Sequence, residues 1–225
     1  VCISPGARNS PLTVAFIQHS NITCFSNVDE RSAAYFALGL AKSSQKPVVL
    51  ISTSGTAAAN YFPAVIEAEM SRVPLIIITA DRPEFLIGTG ANQTIHQKDL
   101  YGNHVRFFRD VGLPVSKQNI LKSILKDAYF NSVGASNRKP PGPVHLNFPF
   151  DEPLLPKIEF DSQLLTFEFA PIDPPKFKLN EIPVLASKNK TLIIFGPMEG
   201  NAHQDDVLKY AEKLMSTGQA TVHGP

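Results

Sequence analysis

Short, nearly unbroken apolar stretches alternate along the first eighty residues with longer stretches in which small and apolar side chains recur at helical spacing. Residues 48–52 and 75–79 have the near-continuous apolar character of strands buried on both faces, not the alternation of a half-exposed sheet, and 1–3 and 22–28 also read as strands. Between them, a turn containing Pro5 and Gly6 leads into a helix expected to be capped by Ser10, with Pro11 at its first position. Asp29 is placed to cap a helix rich in alanine that begins at Glu30, and a further helix is expected over 57–71. Residues 107–111 and 143–148 read as two more strands, and Ile120, Leu121, Ile124, Leu125, Ala128 and Tyr129 are spaced as one face of a helix between them.

Repeated strand and helix alternation predicts an α/β fold, a parallel sheet flanked by helices, with the start of a second α/β domain behind it. The first domain is expected over 1–152. A proline-studded linker follows over 153–185, and the second domain opens over 186–225 with strands near 191–195 and 220–222 and a helix near 205–215. Such sheets bind ligands at the carboxyl ends of their strands. The polar stretch 81–102, with Gly88, Gly90 and Gly102, is too long for an ordinary connection, and ordered loops of that length are usually functional.

Charge and composition narrow the classes. A net charge of +1 with scattered basic residues gives no footprint for nucleic acid or an anionic membrane. The longest apolar runs fall far short of a bilayer span, and no signal-peptide pattern opens the chain, which favours the cytoplasm. Cys2 and Cys24 lie in apolar runs without ligand spacing and read as reduced core residues, and the six histidines form no cluster, so no metal site is expected. The chain opens inside a strand without an initiator Met and closes as another strand finishes, which is read as a fragment of a longer protein.

Candidate chemistry gathers at the strand ends. Arg8 and Arg82 each follow a strand, where a guanidinium can grip a carboxylate or phosphate in a bidentate pair, although a lone loop arginine is more often solvated. Thr53, Ser54, Gly55 and Thr56 place hydroxyls and backbone N–H groups at a helix start, but lack the glycine-lysine pair of a P-loop. Glu30 sits in the first turn of its helix, where the macrodipole alone favours an acid. Gln93 lies in the long loop, His96 and Gln97 beside it, and His145 reads as a structural histidine. No Ser/His/Asp set or carboxylate pair is evident, so catalysis calls for a cofactor.

The ordered set Ser4-Pro5-Gly6-Ala7-Arg8-Asn9-Ser10-Pro11, Asp29-Glu30-Arg31, Thr53-Ser54-Gly55-Thr56, Asp81-Arg82-Pro83 and Gly90-Ala91-Asn92-Gln93 resembles the menaquinone-pathway family of 2-succinyl-5-enolpyruvyl-6-hydroxy-3-cyclohexene-1-carboxylate synthases, over roughly residues 1–152. That resemblance implies a thiamine diphosphate enzyme that decarboxylates 2-oxoglutarate and adds the succinyl unit to isochorismate. It makes Glu30 the glutamate that hydrogen-bonds N1′ of the aminopyrimidine, puts Thr53 to Thr56 beside that ring, and has Arg8, Arg82 and Gln93 orient substrate. The family commonly has serine where this chain has Ala7, so one hydroxyl contact is missing. The Mg²⁺ and diphosphate site lies outside this chain, in a domain of another subunit, which implies a homodimer or homotetramer and no activity for this piece alone. Two other readings stand beside it. One is another thiamine-dependent 2-oxo acid decarboxylase or acetolactate-synthase relative; the other is a non-catalytic dimerisation module using Ala33, Ala34, Ala37 and Ala41 as a close-approach face.

Overall fold

A computed structural model describes residues 1–113, 118–135, 139–155, 191–194, 209, 212 and 220–223. Contacts divide the chain into two compact units, Val1–Glu168 and Phe169–Pro225. Most of the expected linker, 153–185, and most of the expected helix near 205–215 lie outside the described residues; Lys209 and Glu212, which are described, are helical.

The first unit is built on strands β1 (Cys2–Ile3), β2 (Phe25–Ser26), β3 (Val48–Ser52), β4 (Leu75–Asp81), β5 (Phe108–Asp110) and β6 (Val144–Pro149). They form one six-stranded sheet in the order β2-β1-β3-β4-β6-β5, parallel at every pairing. Alternation along each strand sends side chains to opposite faces. Cys2, Leu50, Leu75 and Ile77 meet the helices α2 (Glu30–Ser44) and α4 (Phe62–Met70) in one cluster, while Ile3, Ile51 and Ile78 pack with Leu12 and Phe16 of α1 (Ser10–Ile17). Val144 and Leu146 pack with Ala128, Ile124 and Leu125 of α5 (Gln118–Ser132). Helices on both faces explain why the strands read as continuous apolar runs; each fully buried Leu or Ile contributes about 1.5–3 kcal/mol.

Four local expectations shift. Asn9, not Ser10, precedes α1; its Nδ2 donates 2.8 Å back to the Ser4 carbonyl, and its Oδ1 accepts no cap hydrogen bond. The run 22–28 pairs only at Phe25 and Ser26, as the edge strand. The helix expected over 57–71 is two helices, α3 (Thr56–Asn60) and α4, because Pro63 has no N–H to continue a ladder and instead sits in the first turn of the second. The strand expected to end at Thr79 runs on to Asp81, so Arg82 is the first residue beyond the sheet edge.

In the second unit, β7 (Thr191–Ile194) and β8 (Ala220–His223) form a parallel pair.

Candidate functional site

Because every strand of the large sheet points the same way, Arg8, Glu30, Thr53 to Thr56 and Arg82 all follow carboxyl ends and share one edge of the first unit. The β1 and β3 ends flank the point where the chain reverses direction across the sheet, the usual position for a ligand crevice. There the two loops touch: a Cβ added at Gly6 would collide with the side chain of Thr53.

Glu30 opens α2. Asp29 accepts a 2.7 Å hydrogen bond from the Ser32 N–H, and that bond holds the Asp29 carboxyl below the usual carboxylate range. Capping is therefore done by Asp29, which leaves the half-buried Glu30 carboxylate with no hydrogen bond or ion pair among the described residues. Behind it, the buried Tyr61 hydroxyl donates 2.8 Å to the Ile51 carbonyl and lies 3.2 Å from Ser4 Oγ. Burial, reinforced by the nearby Glu30 charge, pushes that phenol well above the ordinary tyrosine range, so Tyr61 is a fixed neutral neighbour.

Arg8 is buried and spends its fork on its own chain: Nη1 donates 3.0 Å to the Phe150 carbonyl and Nη2 lies 3.4 Å from the exposed Glu152 carboxylate, while Nε has no partner. Arg82 donates through Nη1 to the Ser54 hydroxyl. Desolvation, then the neighbouring Arg8 charge, lowers its pKa. The two arginines and Ser54 therefore form one group, which no hydrogen bond links to Glu30.

The Thr53 to Thr56 turn is held by its glycine. Gly55 has φ +82°, and a Cβ there would stand 3.0 Å from the Gln93 carbonyl oxygen. Gln93 itself has φ 52° and an exposed side chain, so its backbone packs on the turn while its amide is free to reach outward. The Gly55 N–H donates 2.7 Å to Gln97 Oε1, and Gln97 Nε2 donates 3.0 Å to both the Ala80 carbonyl and Asn147 Oδ1.

Asn147 extends the network. Its Nδ2 donates to Asp81 at 2.9 Å and Asp110 at 3.1 Å, which fixes the amide so that Oδ1 accepts from Thr79 Oγ1 at 2.8 Å. Thr79 has spent its only proton, so at its 2.8 Å contact with His145 the histidine Nε2 must carry the hydrogen, leaving Nδ1 bare and unpartnered. Burial agrees, driving the His145 pKa down to about 3. Asp81 accepts 2.7 Å from the Arg82 N–H, yet burial outweighs its hydrogen bonds and raises its pKa. A cavity of about 550 Å³ opens beside these groups, lined by Asp81, Arg82, His96, Lys98, Asp110 and Asn147 among others.

Reasoning from sequence gave Asn147 no mention and Gln97 no function, and named Asp81 only as part of the Asp81-Arg82-Pro83 motif; the one signal for Gln97 was its place in the long loop. The close-approach reading of α2 is corrected: Ala33, Ala34, Ala37 and Ala41 are buried in this chain's own core, and the helix turns Tyr35, Phe36 and Gly39 outward. Among the described residues no group of three or more His, Cys, Asp or Glu could hold a metal ion, and no helix is long and apolar enough to cross a membrane.

Residues 1–100 match the family of the thiamine pyrophosphate enzyme, N-terminal TPP binding domain. The first unit, a parallel sheet flanked by helices with its polar residues at the carboxyl edge, is similar to such a domain over the matched residues. The chain is also similar to proteins named 2-succinyl-5-enolpyruvyl-6-hydroxy-3-cyclohexene-1-carboxylate synthase. It is 55% identical over 156 residues to that of Haloquadratum walsbyi, covering 69% of this chain and 25% of the relative. It is 52% identical over 157 residues to that of Listeria innocua, covering 70% and 27%, and 53% identical over 156 residues to that of Haloarcula marismortui, covering 69% and 26%. The chain spans about a quarter of the length of these relatives.

Proposed function

We propose that this chain is the pyrimidine-binding portion of a thiamine diphosphate-dependent synthase that decarboxylates 2-oxoglutarate and adds the succinyl unit to isochorismate in menaquinone biosynthesis. Similarity to synthases of that name supports the reading. The structural observation that carries it is an unengaged, half-buried Glu30 carboxylate on the same sheet edge as two arginines and the glycine turn.

These residues fit the cofactor. Asp29 does the capping, so the Glu30 carboxyl group is left free to share a hydrogen bond with N1′ of an aminopyrimidine, and the close packing of Gly6 on Thr53 and of Gly55 on Gln93 shapes the wall where Thr53, Ser54, Gly55 and Thr56 stand. When bound, thiamine diphosphate supplies the electron sink that lets carbon dioxide leave the 2-oxo acid. Glu30 would present its carboxylate to that ring, Arg8 and Arg82 would receive substrate carboxylates, and Gln93 would offer its amide to a substrate oxygen. Arg82 does this by exchanging its Ser54 bond for an anion, and Ala7 contributes no hydroxyl.

Mg²⁺ and the diphosphate are assigned to a domain outside this chain, contributed by another subunit of a homodimer or homotetramer in the cytoplasm. Domain limits at 152 and 186 belong to the same proposal, as does inactivity of this portion alone. The test is carbon dioxide release from 2-oxoglutarate by the complete enzyme with thiamine diphosphate and Mg²⁺, with and without isochorismate. Glu30→Gln should cut turnover by about 10²-fold or more while leaving the melting temperature unchanged. A Glu30→Gln enzyme as active as the parent would refute the assignment.

A further inference from the structure

Gln97 is 1% exposed, and its amide makes three hydrogen bonds to three different strand-end segments. Its orientation is forced: Oε1 faces the Gly55 N–H, and Nε2 faces two oxygens, the Ala80 carbonyl and Asn147 Oδ1, so turning the amide over would set donor against donor and acceptor against acceptor. Each contact has a downstream member. Gly55 is followed across its missing Cβ by the Gln93 backbone and preceded by Ser54, which accepts from Arg82. Ala80 lies two residues before Arg82, whose N–H is in turn fixed by Asp81. Gln97 thus holds both ends of the Arg82–Ser54 contact and the platform under Gln93.

We propose that Gln97 is a positioning residue for substrate carboxylates, setting where Arg82 and Gln93 stand without itself touching substrate. This rests on the synthase reading. Removing its amide takes the Gln97 partner from the buried Gly55 N–H and one donor from each of two oxygens, the Ala80 carbonyl and Asn147 Oδ1, the latter keeping its bond from Thr79, while the apolar clusters on either side of the sheet do not involve it. The consequence is a loosened turn and loop on an intact sheet. Because Arg82 and Gln93 hold substrate before and during reaction alike, the loss falls on KM.

The experiment compares Gln97→Met and Gln97→Glu with the parent in the complete enzyme. Hydrogen exchange is followed without ligands over 53–60 and 88–97, together with KM and kcat for the 2-oxo acid. Gln97→Met should speed exchange in both segments about tenfold, leave Val48–Ser52 and Leu75–Asp81 as slow as in the parent, and raise KM about tenfold with kcat within about threefold. Gln97→Glu keeps an acceptor for Gly55 but sets an oxygen against the Ala80 carbonyl and Asn147 Oδ1, so it should retain slow exchange over 53–60 while exchange over 88–97 speeds up and KM rises; it carries the test if the Met variant fails to fold. Exchange that rises uniformly along the chain, or a KM equal to the parent's in a variant with faster local exchange, would overturn the proposal. A parent enzyme with no thiamine-dependent turnover on the 2-oxo acid refutes the synthase reading instead, and the exchange data then decide whether Gln97 organises the turn.

Discussion

The two halves of the sheet's carboxyl edge treat their polar groups in opposite ways. Beyond β4, β6 and β5, Asp81, Thr79, Gln97 and Asn147 are buried and bonded to one another, and His145 leaves the one unpaired buried atom of that side among the described residues, Nδ1. Beyond β2, β1 and β3, Arg8 Nε, Asn9 Oδ1, Asn27 Oδ1 and Ser52 Oγ are buried without partners, and Glu30 makes no bond. A buried polar group costs about 1–3 kcal/mol when unsatisfied, so a fold that concentrates such groups in one half keeps that half ready for something else to bind. The saturated half is the rigid frame against which the open half is held.

The comparison breaks most severely at the seam. Gly6→Ala drives a methyl into Thr53 and forces the β1 and β3 loops apart, so it should cost about 1–3 kcal/mol, visible as a lower urea midpoint, and should also abolish turnover. The saturated half can be tested by acid. His145 is held neutral with its pKa down from the ordinary 6.5 to about 3. The unfolded chain takes up a proton below 6.5 that the native chain refuses, so stability is lost as pH falls from there, by at most about 1.4 kcal/mol per pH unit. Asp81 works against this closer to the carboxylate range, because its raised pKa lets the native state take its proton first. Urea unfolding between pH 7.5 and 5.5 should show the slope, and His145→Phe should flatten it. The smallest effect belongs to Glu152, whose carboxylate is 74% exposed and faces the Arg8 that is proposed to receive substrate. Glu152→Gln should lower the substrate KM about two- to threefold and leave stability within about 0.5 kcal/mol, as expected for an exposed ion pair.

Much of the frame was legible in the chain. Runs such as 48–52 and 75–79 can be continuous only if both faces are covered, and that single inference yields the parallel sheet, its carboxyl edge and the gathering of Arg8, Glu30, the Gly55 turn and Arg82 upon it. What escaped was set by tertiary placement. The helix expected over 57–71 is interrupted at Tyr61, and Pro63 gave the warning. The alanines of α2 look the same in sequence whether they face a partner or their own sheet; here they face their own. Gln97 and Asn147 are ordinary amides until strands far apart in sequence bring their acceptors together.

The sheet order also has a consequence for the sequence of events in folding. β6 lies between β4 and β5, so β5, synthesised earlier, has no strand to pair with until β6 inserts. Pairings so distant along the chain are closed late and slowly. The same insertion delivers Asn147 to Asp81, Asp110, Thr79 and Gln97 at once. Completion of the sheet and completion of the amide network around Asn147 should therefore coincide, and a nascent chain halted before Val144 has Gln97 to join Gly55 and Ala80 but lacks both the Asn147 anchor and the Phe150 carbonyl that holds Arg8.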